Sequence, residues 1–72
     1  MADNEFKKGV YRHFKGNEYE VLDIGYDCDT TEEMVIYKAL YGEGKIWIRR
    51  KAEFCGMVER DGKTFKRFEF IE

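Results

Sequence analysis

A chain of 72 residues with 13 Lys and Arg, 15 Asp and Glu and a net charge of -2 has room for one domain and for no deep cofactor chamber, because so short a chain buries only about 60 per cent of the surface it exposes when unfolded. The mildly acidic balance argues against a counterion-driven grip on duplex nucleic acid, and no stretch approaches the ~18 uninterrupted apolar residues of a membrane-spanning helix. Charged residues at 39% beside hydrophobic ones at 43% make a globular balance rather than a disordered one.

Met1 to Glu5 has no periodicity and is expected to be a disordered tail, leaving residues 6–72 as the single domain. Gly9 to Phe14 reads as a short strand, turned by Lys15-Gly16-Asn17. In Glu18 to Tyr26 the apolar positions fall first at Tyr19 and Val21, then at Leu22, Ile24 and Tyr26. That change of phase predicts a β-bulge between Val21 and Leu22, a device that bends a strand between two sheets. Asp27 to Glu33 is a polar loop. Met34 to Tyr41 is apolar on both alternating faces, which predicts a central strand covered on two sides. Gly42-Glu43-Gly44 supplies the reversal, and Ile46 to Arg49 returns.

Arg50 to Phe54 loses alternation and suits a single 3₁₀ turn. Met57 to Arg60 runs into Asp61-Gly62, the strongest hairpin signal in the chain. Thr64 to Ile71 follows, with Phe68 and Phe70 inward and with Phe65 and Ile71 on the opposite phase, so this last strand is expected to cross between sheets or to cap one end. The chain contains no Pro. Five or six short antiparallel strands without a helix-length amphipathic window predict an all-β fold, a small SH3-like, partly open barrel, with an OB-type barrel second.

Lys8-Gly9-Val10-Tyr11-Arg12-His13-Phe14-Lys15-Gly16-Asn17-Glu18-Tyr19-Glu20-Val21, Tyr37-Lys38-Ala39-Leu40-Tyr41-Gly42 and Trp47-Ile48-Arg49 together resemble a family of small bacterial proteins of unknown function. Its pattern runs K-G-x-Y-R-H-(Y/F)-K-G-x-x-Y-x-V, then Y-x-A-L-Y-G, then W-x-R-P and a Met-Phe pair, closing on an aromatic strand after a D-G turn. The resemblance spans Lys8 to Ile71. Arg50 departs from it where Pro is usual, and Glu53 where Met precedes the Phe. It implies an SH3-like domain and brings no activity with it.

Six Phe, five Tyr and one Trp exceed what most short chains carry. Tyr11, Arg12, His13, Tyr37, Tyr41, Trp47 and Arg49 are the candidate ligand-binding residues, an aromatic shelf with basic edges that suits a peptide, a single-stranded nucleic acid or a nucleotide-like ligand. The plainer reading of the same rings is core packing. His13 is the one histidine, and between Arg12 and Lys15 its pKa should fall. It has no sequence-adjacent partner for catalysis. An enzyme or hydrolase domain would need Cys28, Cys55 or an acid beside it, and the absence of Ser removes the serine hydrolases.

Asp27, Asp29, Glu32 and Glu33 lack the spacing of an EF-hand, and two cysteines with one histidine are too few for a structural zinc site. No metal or cofactor is expected. Without a secretion signal, Cys28 and Cys55 are read as free thiols of a cytoplasmic protein. The functional reading is a non-enzymatic binding module, monomeric or weakly dimeric, with a protein, nucleic acid or small ligand as partner. An accessory enzyme using His13 and an oligomerisation domain are the alternatives.

Overall fold

The computed structural model describes residues 6–72, so the expected tail over 1–5 lies outside the described residues. The elements are β1 (Gly9–His13), β2 (Glu18–Tyr26), β3 (Glu33–Ala39), β4 (Ile46–Arg50), α1 (Lys51–Phe54), β5 (Met57–Arg60), β6 (Lys63–Lys66) and β7 (Phe68–Phe70). They form an antiparallel five-stranded sheet in the order β4-β3-β2-β1-β7, and β5 and β6 form a separate two-stranded ribbon. The fold is all-β, as the alternation predicts. The sheet curls around its core without closing into a barrel, and β4 and β7 are its two ends. No helix among the described residues is long and apolar enough to cross a membrane.

The bulge lies where the phase change puts it. Val21 stands opposite Tyr37 and Asp23 opposite Ile36, so Leu22 is the extra residue. Before it Tyr19 and Val21 face the core, and after it Ile24 does. Asp61 and Gly62 both take positive φ, 53° and 76°, as a two-residue hairpin turn requires. Gly9 is needed for a second reason: at φ 146° a Cβ there would sit 2.7 Å from the Glu72 carbonyl oxygen, against which Val10 N–H also closes at 3.2 Å.

Four expectations change. Seven strands replace five or six, because the last run breaks at Arg67: its N–H donates to the Gly56 carbonyl and its carbonyl accepts from Phe14 N–H, so one residue bonds to the chain flanking both sheets. The turn at residues 51–54 is α rather than 3₁₀, closed by Cys55 N–H on the Lys51 carbonyl at 2.9 Å. The centre of the sheet is β2, not β3, and the second face of β3 is only partly covered: Met34 and Ile36 are half-buried while Lys38 and Leu40 are exposed. Phe68 points inward as expected, but Phe70 remains 39% exposed at the sheet edge.

The core is aromatic. Phe54 of α1 is 1% exposed, lies face to face with Phe68 at 4.0 Å and meets Tyr11 and Tyr37 edge-on, each at 5.2 Å. Phe6 stacks on Tyr11 at 5.6 Å. Val21 and Val35 fill the remaining space. A Phe54→Ala variant removes the ring that four others rest on and should lose about 3 to 5 kcal/mol, a large share of the roughly 4 to 11 kcal/mol expected for a chain of this size. Urea unfolding followed by Trp47 fluorescence measures it, and an unchanged midpoint would mean the stack is not the keystone.

Candidate functional site

Alternation along the strands decides which of the candidate residues can meet. Tyr37 and Trp47 are paired across β3 and β4, and Val35 and Arg49 are the next pair on that face. Across β2 and β1 the same face carries Tyr19 and Tyr11, and beyond them His13 stands opposite Phe68 of β7. The result is a cleft of about 180 Å³ lined by His13, Tyr19, Tyr37, Trp47, Arg49 and Phe68. Four of the seven candidates therefore come together here, although Tyr37, 4% exposed, belongs to the core rather than to an exposed shelf.

The other three lie elsewhere. Tyr41 borders the cleft through Tyr19, their hydroxyl oxygens 2.7 Å apart, and lines a neighbouring hollow with Trp47, Gly42 and Lys45. Tyr11 is buried and donates its hydroxyl to the Lys7 carbonyl at 2.6 Å, which makes it core. Arg12 is one residue out of phase, points to the opposite face and pairs with Glu18 at 3.4 Å. Its sequence neighbour His13 reaches the cleft for the same reason that Arg12 cannot.

Hydrogen bonds and stacking hold the walls. Arg49 Nε donates to the Tyr37 hydroxyl at 3.3 Å, and its Nη1 lies 3.7 Å from a Glu53 carboxylate oxygen. Tyr19 packs edge-on against Tyr37 at 5.4 Å and Phe68 at 5.7 Å. Its pKa is pushed up to about 12, first by burial and then by the hydrogen bond to Tyr41, so it stays a neutral hydroxyl. Trp47, 47% exposed, forms the outer lip.

His13 Nδ1 accepts the Lys15 N–H at 3.1 Å, which places the proton of the neutral ring on Nε2. Its pKa lies below the ordinary 6.5 because burial disfavours the charged ring, with Arg49, Arg67 and Lys15 adding repulsion in that order. The acceptor role of Nδ1 acts in the same direction, since it favours the neutral ring. These three charges, all positive, are the ones that shift the imidazole. Arg67, at the break between β6 and β7, also carries a buried Nε without a hydrogen-bond partner among the described residues.

Two further clusters have simpler explanations. Asp27, Cys28 and Asp29 bring their side-chain donor atoms within 4.8 Å of one another, but Asp27 Oδ1 already accepts the N–H groups of Asp29 and Thr30 at 2.8 and 3.1 Å. Those bonds lower its pKa and close the loop. Cys55 has its thiol pKa raised, chiefly by burial, and lines hollows away from the imidazole. Among the described residues the one hydrogen bond of the His13 side chain is to Lys15, so the geometry offers the ring neither a nucleophile nor an orienting acid.

Tyr19, Phe68 and Arg67 are site residues that the sequence reading did not single out. Tyr19 had a usable signal: it shares the phase of Val21, and so the face of Tyr37. Arg67 had none, because a strand break between two sheets leaves no periodic mark.

The lowered pKa of His13 has a defined consequence for stability. Between its folded value and the higher unfolded value the unfolded chain binds more protons, so stability should fall as pH drops through that window. Replacing Arg49 by Gln should raise the His13 pKa, as read from the imidazole proton shifts in an NMR titration. No change on removing this charge would show that Arg49 takes no part in the shift.

The family of proteins of unknown function termed DUF1653 matches residues 9–70. No curated protein matches the chain. A crystal structure of a DUF1653 protein from Bordetella bronchiseptica is similar to it with a TM-score of 0.84 and 28% sequence identity, covering 94% of this chain and 90% of that one. With the family matched over residues 9–70 and the backbone shared over nearly the full length of both chains, the fold described above is that of a DUF1653 domain, and the chain belongs to that family.

Proposed function

We propose that this domain is a non-enzymatic binding module that takes a flat, negatively charged small ligand of nucleotide-like kind in the cleft between β1, β3, β4 and β7. The observation that supports it is the pairing of aromatic walls with an imidazole on which Arg49, Arg67 and Lys15 all act. An anionic group at His13 and Arg49 relieves the repulsion that holds the imidazole neutral. A ring laid along Trp47 and Tyr41 uses the two exposed aromatics at the lip.

Size and charge separate this reading from its rivals. The cleft holds one ring or one phosphate, not a run of bases, and a net charge of -2 gives a long polyanion little general attraction. A larger hollow of about 410 Å³ lies on the other side of His13, lined by Arg12, Phe14, Gly16, Phe65, Lys66 and Glu69. It suits an anion less well, since Glu69 contributes a carboxylate to its lining.

Trp47 is the chain's one tryptophan and therefore a built-in probe. Titration with nucleoside monophosphates should change its fluorescence and shift the His13 and Arg49 resonances. Trp47→Ala should weaken binding by about 1 to 3 kcal/mol through lost stacking, and Arg49→Gln by roughly 1.5 to 3 kcal/mol through a lost charge-assisted hydrogen bond. Both side chains are at least partly exposed, so the fold should persist. A response to short peptides or oligonucleotides with none to mononucleotides would replace the ligand class, and silence at these positions with every class would remove the site.

A further inference from the structure

We infer that β4 is a self-complementary docking edge, along which a second copy of this chain pairs antiparallel to extend the five-stranded sheet to ten. Among the described residues no strand lies beyond β4 in the sheet. Its side chains are the most apolar exposed run in the chain: Ile46 is 59% exposed, Trp47 47% and Ile48 64%. Such an edge is a template for strand addition unless it is blocked.

The hydrogen-bond phase shows which backbone groups the edge offers. Ala39 N–H donates to the Lys45 carbonyl at 2.9 Å, and hydrogen-bonded pairs alternate along an antiparallel ladder. With Tyr37 opposite Trp47 and Val35 opposite Arg49, residues 45, 47 and 49 direct their N–H and C=O groups to β3. Ile46, Ile48 and Arg50 direct theirs outward. A two-fold axis through Ile48 then pairs all five residues of β4, with Ile48 on the partner's Ile48 and Ile46 on the partner's Arg50 as hydrogen-bonded pairs.

Charge selects that register. With the axis at Ile48, Trp47 stands opposite the partner's Arg49 in a non-hydrogen-bonded pair, the closer of the two kinds, and indole against guanidinium is an attractive contact. The same contact occurs twice by symmetry. Sliding the axis to Trp47 pairs only three of the five residues of β4, and sliding it to Arg49 sets two Arg49 side chains against each other, unfavourable across a strand pair. On the outer face the Ile48 pair continues the half-covered patch of Ile36 and Met34. Arg50 is held aside by Glu32 at 3.9 Å and Glu53 at 4.0 Å, which offsets its charge near the seam.

The test is sedimentation of the full chain, without ligand, over a concentration series into the millimolar range, so that its outcome is independent of the cleft's ligand. Wild type should pass from monomer to dimer. Ile48→Glu and Ile48→Lys each place like charges at the axis and should sediment as monomers, with unchanged circular dichroism because residue 48 is exposed. Mixing the two variants should restore a dimer, since residue 48 faces its own counterpart only in this register. A wild type that stays monomeric throughout, single variants that dimerise like wild type, or a mixture that does not associate would each overturn the proposal.

Discussion

The fold depends on one aromatic ring from a four-residue helix. Phe54 enters the concave face of the sheet and stacks on Phe68 while its edges meet Tyr11 and Tyr37, which ties β7, β1 and β3 to α1 at one point. A chain of this length cannot assemble a thick aliphatic core, and rings supply the most buried area per ordered side chain. The polar atoms of the buried tyrosines are satisfied where they emerge: Tyr11 on the Lys7 carbonyl and Tyr37 on Arg49. The strands can therefore be short and the sheet open without loss of a defined centre.

Core and cleft are one network. Phe54 touches Tyr37, Tyr37 touches Tyr19, and Tyr19 touches Tyr41 at the rim. Phe68 serves both, packing on Phe54 inside and against His13 at 4.9 Å where the cleft opens. Side chains that line the cleft are thereby held by the core itself, a rigid arrangement that suits recognition of a fixed shape. The chemistry present is stacking, hydrogen bonding and positive charge. Among the described residues the His13 side chain has one hydrogen bond, to the Lys15 N–H.

The contrast between Arg12 and His13 shows how alternation sends adjacent residues to opposite faces of the sheet. Both belong to the same run of basic and aromatic residues in β1, yet one turns outward to pair with Glu18 and the other inward to the cleft. The exposed ion pairs of the outer face, Arg12 with Glu18 and Lys8 with Asp23, contribute little to stability individually. They cover the sheet around β1 and β2 with charge while leaving Ile46 and Ile48 of β4 bare. Polarity on this surface is therefore uneven, and the bare part coincides with an unpaired edge.

Local features carried their own signals in the amino-acid sequence. The phase change at Leu22 announced the bulge, Asp61-Gly62 announced its hairpin, and two-residue alternation announced an all-β chain, because each rests on neighbours within a few residues. Four cleft residues, His13, Tyr37, Trp47 and Arg49, were legible for the same reason: their residue types and strand phase are local facts. The keystone role of Phe54, the division of the last strand at Arg67, the burial of Tyr11 and the place of β4 at an edge were not. Those depend on which strand lies beside which, and strand order is set by contacts between residues far apart in the chain, where periodicity has no memory.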